Sequence, residues 1–137
     1  MTSISSMHSE TFADFVATQQ ARNDIQLKIV ETCLTLCDVL RANFESRNHG
    51  KVGGYAPPKY TFDLDSSGRK YHKIFMYIDG KRNSIHAFVD KKTGEVYKPS
   101  SLKAPAKGVR YNMLSIESRQ EMFERADWAG GYLYKRY

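Results

Sequence analysis

The hydrophobic pattern of this chain changes period across residues 49–58, and that change restricts the fold more than any other feature. Between Ser9 and about Asn48, the apolar residues Val30, Cys33, Leu34, Cys37, Leu40 and Phe44 recur at i, i+3 and i+4, the spacing that lines one face of an α-helix. From Tyr60 onward the period is two: Tyr60, Phe62 and Leu64 alternate with polar residues, and Lys70 to Ile78 forms the clearest strand pattern in the chain. Residues 49–58, HGKVGGYAPP, hold three glycines and two adjacent prolines and read as the loop between the two regimes. A chain of 137 residues cannot fill two separate cores well. The pattern therefore predicts a single α+β domain over 1–137, with a helical part (1–48), a Gly/Pro loop (49–58) and a β-meander with a basic loop and C-terminal helix (59–137).

In the helical part, Ser9 or Thr11 can cap a first helix carrying Phe12, Phe15 and Val16. Asp24 either caps a second helix or lies inside one continuous helix, so a helical hairpin and a single long helix are both compatible with the pattern. Ile29, Leu36 and Val39 widen the apolar stripe beyond one face, which calls for cover from the rest of the domain or from a second subunit. A homo-oligomer is the corollary. Gly50 is placed to end the helix. Cys33 and Cys37 stand four residues apart on one helical face; with no second cysteine pair and no nearby histidine, they are expected in the core of a protein from a reducing compartment and not at a zinc ion.

The β part reads as an antiparallel meander. Asp65-Ser66-Ser67-Gly68 marks a turn, Asp79-Gly80 a tight hairpin, Ser84 to Val89 the return strand, Asp90 to Gly94 a second turn, and Glu95 to Tyr97 a short third strand. Pro99 and Pro105 interrupt whatever follows. Ser118 and Glu121 fit a capping box, predicting a helix to about Trp128 with Ile116 or Met122 and Phe123 turned inward. Gly130 and Gly131 stop it, and Tyr132-Leu133-Tyr134 alternates like an edge strand blunted by Lys135 and Arg136.

Charge adds a functional reading. The formal charge is +6, yet residues 69–110 hold eleven basic side chains against Asp79, Asp90 and Glu95, a local balance of +8, while everything else sums to −2. An anionic partner is expected to meet that segment. An even-membered hairpin loop would put His72, Ile74, Met76 and Ile78 on the core side with Ile85, Ala87 and Val89. The opposite side would then show Tyr71, Lys73, Phe75 and Tyr77 beside His86 and Phe88, with Arg69, Lys81 and Arg82 at the margins. Rings interleaved with cations suit the stacking of unpaired bases and the neutralising of phosphates. The stretch from Lys98 through Lys103 and Lys107 to Arg110 adds unopposed charge. The same face also suits burial, by the helices or by a neighbouring subunit.

Several classes fall away. There is no apolar run of bilayer length, and the first 20 residues contain neither Lys nor Arg nor a continuous apolar core, so neither a membrane anchor nor a secretion signal is expected. No nucleophile elbow, phosphate loop or zinc-protease arrangement is present. His8 and His49 are expected in solvent, and His72 and His86 on opposite faces of the sheet, where they cannot share a substrate. A non-enzymatic protein without metal or cofactor is the expectation.

The stretch IHAFVDKKTGEVYKPSSLKAPAKGVRYNML at 85–114, followed by ADWAGGYLY at 126–134, resembles small, mostly uncharacterised proteins encoded by tailed bacteriophages, marine ones especially. The resemblance implies work in the cytoplasm of an infected host or within the virion. Together with the charge, it favours a phage protein that binds nucleic acid or another anionic partner. The alternatives are a virion structural protein assembling with capsid or tail proteins through its apolar helix, and an inhibitor of a host defence protein or nucleotide signal.

Overall fold

The computed structural model describes residues 11–47 and 56–134. The fold is α+β: helix α1 (Phe12–Arg47), strands β1 (Tyr60–Asp65), β2 (Tyr71–Ile78), β3 (Lys81–Asp90), β4 (Glu95–Tyr97) and β5 (Tyr111–Asn112), helix α2 (Ile116–Arg125), and a 3-10 turn, Gly131–Tyr134. The five strands form one sheet in chain order, each antiparallel to the next. This is the meander expected from turns that join sequence neighbours directly.

Helix α1 is continuous, and Asp24 lies inside it. Thr11 caps it by accepting a hydrogen bond from Asp14 N at 3.0 Å. At 1.5 Å per residue its 36 residues span about 54 Å, well beyond the sheet. Its buried residues begin only at Ile29 and continue through Thr32, Cys33, Leu36, Cys37, Leu40 and Phe44. The preceding turns project past the sheet and leave Phe12, Phe15, Ile25 and Leu27 exposed. Gly50, His8 and His49 lie outside the described residues.

The core lies between the buried face of α1 and one face of the sheet, closed by α2 and the 3-10 turn. Ile29, Cys33, Leu36 and Leu40 meet Phe62, Ile74, Ala87, Val89 and Val96, with Met113, Met122 and Leu133 completing the cluster. At the end of α1, Phe44 stacks on Tyr60 with ring centroids 4.2 Å apart, and Trp128 approaches both edge-on. Trp128 N also donates to Asn43 Oδ1 at 3.0 Å. Both cysteines are free and buried, with Cys33 Sγ 3.7 Å from Met113 Sδ. Burial, the larger cause in each case, pushes both thiols up to about 12. Ellman's reagent at pH 8 is therefore expected to leave both cysteines unmodified until urea unfolds the chain. Stoichiometric labelling of the folded protein at the rate of a free thiol would contradict this core.

Two local expectations are corrected, the cap of the C-terminal helix and the edge strand, and an alternative between Ile116 and Met122 is resolved. Helix α2 starts at Ile116, and its cap is Ser115, whose Oγ accepts from Ser118 N; Ser118 instead uses its hydroxyl to accept from Asn112 N at 2.8 Å, ending β5. Ile116 is exposed, and Met122 is the residue that α2 buries. Tyr132-Leu133-Tyr134 is a 3-10 turn and not an edge strand. Gly130, at φ 85°, reverses the chain there, and the Asp127 carboxylate accepts from Gly131 N and Tyr132 N, a cap that winds the segment instead of extending it.

The β2–β3 hairpin turns through Asp79 and Gly80, both at positive φ (51° and 81°), as a two-residue primed turn requires. Asp79 also ties the turn to β1: its N donates to Lys59 O and its Oδ1 accepts from Lys59 N. Beyond the turn the register shifts twice. Ile74 faces Ala87 but Phe75 faces Ile85, leaving His86 as an extra residue, and Met76 faces Ser84 but Tyr77 faces Arg82, leaving Asn83. A bulge exchanges the faces of the residues beyond it. Ile85, expected in the main core, thus packs with Phe75 and Phe88 on the far face, while His86 turns to the core side against Phe62.

Candidate anion-binding surface

The aromatic side of the sheet is closed. Phe75, Ile85 and Phe88 form a second apolar cluster with Tyr71, Tyr77 and Tyr97 packed around them, and Phe88 has none of its surface exposed. Two cations help to cover it. The Arg82 guanidinium lies 3.8 Å from the Phe75 ring centroid, donates to Tyr77 Oη at 3.1 and 3.2 Å, and pairs with Asp65 at 3.3 Å. The hydrogen bonds from Ser67 are the first cause, and Arg82 a further one, that hold the Asp65 carboxyl below its ordinary range. Lys73 Nζ lies 5.6 Å from the Phe88 centroid and donates to Leu102 O at 3.0 Å, tying the 98–106 loop to this face. That loop folds back on itself, with Ala106 N donating to Lys98 O and Pro99 bridged to Pro105.

The predicted site residues consequently separate. Tyr71, Tyr77, Phe75 and Phe88 are packed against one another and do not form a platform of open ring faces. Lys73 and Arg82 are engaged with that packing. His86 is on the other face, buried, with Nε2 2.8 Å from Tyr132 Oη. Arg110 serves as a clamp: Nε donates to Leu133 O at 2.7 Å, and Nη1 donates to Lys107 O and Gly108 O. Lys98 Nζ sits 4.5 Å over the Tyr134 ring. Arg69, Lys81, Lys103 and Lys107 are exposed.

Cations converge at the end of the sheet where β2 begins and β3 ends. The antiparallel register sets Tyr71 opposite Asp90, so the residues flanking that pair, Arg69-Lys70 and Lys91-Lys92, come together in space. With Gln26 of α1 and the carboxylate-bearing Asp90 they line a cavity of about 430 Å³. A neighbouring groove of about 600 Å³ runs from Lys92 and Gln26 along α1 to Arg22. Arg69, Lys70 and Lys92 are exposed, whereas Lys91 is half-buried and held by a backbone carbonyl. Asp90 Oδ1 accepts from Lys92 N and Thr93 N, and Lys91 Nζ donates to Ser66 O at 2.6 Å. Among the described residues, Arg69, Lys70 and Lys92 have no ion-pair partner. Lys70, Lys91, Lys92 and Arg22 were not among the residues singled out in the sequence. Pairing the two ends of the hairpin would have brought the first three together, but Arg22 joins them only through the docking of α1.

Concave surface, three exposed neighbouring cations and a groove continuing to Arg22 suit a ligand with several negative charges in a row. Among the described residues there is no cluster of three metal-ligating side chains and no helix long and apolar enough to cross a membrane. A family model described as "Family of unknown function (DUF7717)" matches residues 12–135. No curated protein matches the chain. No solved structure matches it either.

Proposed function

We propose a function for this chain, which belongs to the DUF7717 family of unknown function: it binds nucleic acid through the sugar–phosphate backbone, without catalysis. The observation that carries this reading is the meeting of Arg69, Lys70, Lys91 and Lys92 around one cavity, continued along α1 to Arg22. Lysines and arginines without partners neutralise phosphates regardless of sequence, and their contribution is strongly salt-dependent. This reading does not call on base stacking by β2 and β3, whose Phe75 and Phe88 are buried with Tyr71 and Tyr77 packed around them.

Fluorescence polarisation with a labelled 20-base-pair duplex tests this. Binding is expected at low salt, and the double variant Arg69→Glu/Lys92→Glu is expected to bind at least about tenfold more weakly, with a salt slope shallower by about 2. Lys103→Glu/Lys107→Glu, away from the groove, is expected to change affinity less. Equal binding by wild type and the Arg69/Lys92 variant, or no binding by wild type at low salt, would remove the proposal. The phage origin implied by the resemblance agrees with this reading and would place the encounter in an infected cell.

The overhang of α1 favours a second reading, assembly with another copy or with capsid or tail proteins. Phe12 is 81% exposed, Phe15 51% and Leu27 57%, and a helix gains most of its stability from packing of its apolar face. Light scattering on the purified chain and mass spectrometry of particles decide it: a monomer absent from virions ends this reading.

A further inference from the structure

At the opposite end of the sheet from Arg69 and Lys92, the β3 bulge sets His86 in the wall of a cavity of about 300 Å³, with Met76, Trp128 and Leu133 as apolar walls and Ser84 and Lys98 among the polar ones. His86 is only 8% exposed. Its Nε2 lies 2.8 Å from Tyr132 Oη, and burial, foremost, keeps the Tyr132 hydroxyl protonated well above its ordinary range. Both tautomers fit that distance; in the one where the hydroxyl donates to Nε2, no hydroxyl proton is left unpaired among the described residues. A neutral imidazole accepting at Nε2 carries its own proton on Nδ1.

Nδ1 has no hydrogen-bond partner among the described residues, and a buried N–H without an acceptor is uncommon enough to need explanation. The Cε1–Nδ1 edge of the ring faces Gly130, where an added Cβ would stand 3.7 and 3.9 Å from those two atoms. Gly130 also lines the cavity and puts no side chain into it. Lys98, whose ammonium rests 4.5 Å over the Tyr134 ring, supplies the one positive charge of the lining.

We propose that this cavity is a binding site for a small organic carboxylate with a flat apolar body. One carboxylate oxygen accepts from His86 Nδ1, the charge is balanced by Lys98, and the body lies against Met76, Trp128 and Leu133. One ammonium, one neutral N–H and mostly apolar walls match a single negative charge better than a phosphate, whose second charge would be desolvated without a partner. A cavity of about 150 Å³ accommodates benzene, so this one takes a ring with a short acidic arm. The site is separate from the cation groove, and the two proposals stand or fall independently.

Trp128 is the only tryptophan of the chain, so its emission reports on the cavity directly. Titration of the full chain with phenylacetate is expected to give a saturable change, with a Kd in the millimolar range or tighter. Phenylacetamide, its neutral counterpart, is expected to bind about tenfold more weakly, and Lys98→Gln to weaken phenylacetate by a similar factor. Inorganic phosphate is expected to leave the emission unchanged. The nitrogen-15 signal of His86 Nδ1 should move with phenylacetate in parallel. The Arg69→Glu/Lys92→Glu chain is expected to bind phenylacetate as wild type does, which separates failure here from failure of nucleic-acid binding. No saturable change with phenylacetate, equal binding of the acid and the amide, or an unaltered affinity in Lys98→Gln would each overturn the proposal.

Discussion

Phe88→Ala is expected to destabilise this protein by about 3 to 5 kcal/mol in urea denaturation, the range for emptying a buried phenylalanine site. The residue lies on the sheet face away from α1, the face whose sequence pattern invites an exposed stacking surface. Its ring is nonetheless fully buried. Tyr71 approaches it edge-on at 5.7 Å, and Lys73 spans it to reach the 98–106 loop. Truncation would remove the ring from Tyr71, Lys73, Phe75 and Ile85 together, and the strand pairing on both sides limits how far the backbone can collapse into the gap. A solvent-facing platform residue would lose well under 1 kcal/mol on the same change. A cost near zero would return this face to solvent and revive the stacking model; a cost in the expected range retires it.

Acidification is expected to weaken the fold by about 3 kcal/mol as pH falls from 6.5 to 4, apart from what the carboxylates contribute at lower pH. Burial, the dominant cause, lowers His86 from its ordinary 6.5 to about 4, with Asp127 opposing the shift. Between those values the unfolded chain holds a proton on this ring that the folded chain does not. Each pH unit of that difference is worth about 1.4 kcal/mol. The stability is fully present above 6.5, lost progressively as pH falls, and lost no further below about 4. His72 acts in the same direction: burial first, then the Lys91 charge, lower it. Urea midpoints at pH 7 and 4.5, together with an NMR titration of the His86 Cε1 proton, measure the effect. If His86 in the folded chain titrates near 6.5, the buried neutral ring is wrong, and the tautomer argued for the cavity goes with it.

Much of the architecture was legible before any coordinates. The meander follows from local signals: Asp79-Gly80 is the one dipeptide between the two longest strand patterns that accepts positive φ at both positions, and it makes the turn. Of the stripe expected from spacing, Cys33, Cys37, Leu40 and Phe44 are buried, whereas Leu34 is exposed and Ile29 and Leu36, expected only to widen it, are fully buried. Other features were not legible, each for its own physical reason. Alternation could not reveal that β3 carries two extra residues, because a bulge costs little locally and is chosen by what the strand packs against. His86 was therefore assigned to the wrong face. Composition showed +8 between residues 69 and 110 but not which cations face outward. Arg110 spends its guanidinium on three carbonyl oxygens, whereas Lys70, Lys91 and Lys92, which stood out less in the sequence, line the cavity.

By itself, the sequence determined the long N-terminal helical segment, the four longer strands, where the tight turns fall, and that the net positive charge lies between residues 69 and 110. Periodicity, turn chemistry and charge are properties of neighbours along the chain. The tertiary structure alone decided which face each ring of β2 and β3 occupies, which cations meet at the sheet end beside α1, and that His86 borders a cavity next to Trp128. Those outcomes depend on register and on contacts between residues far apart in sequence, where packing chooses among arrangements that local preference leaves nearly equal.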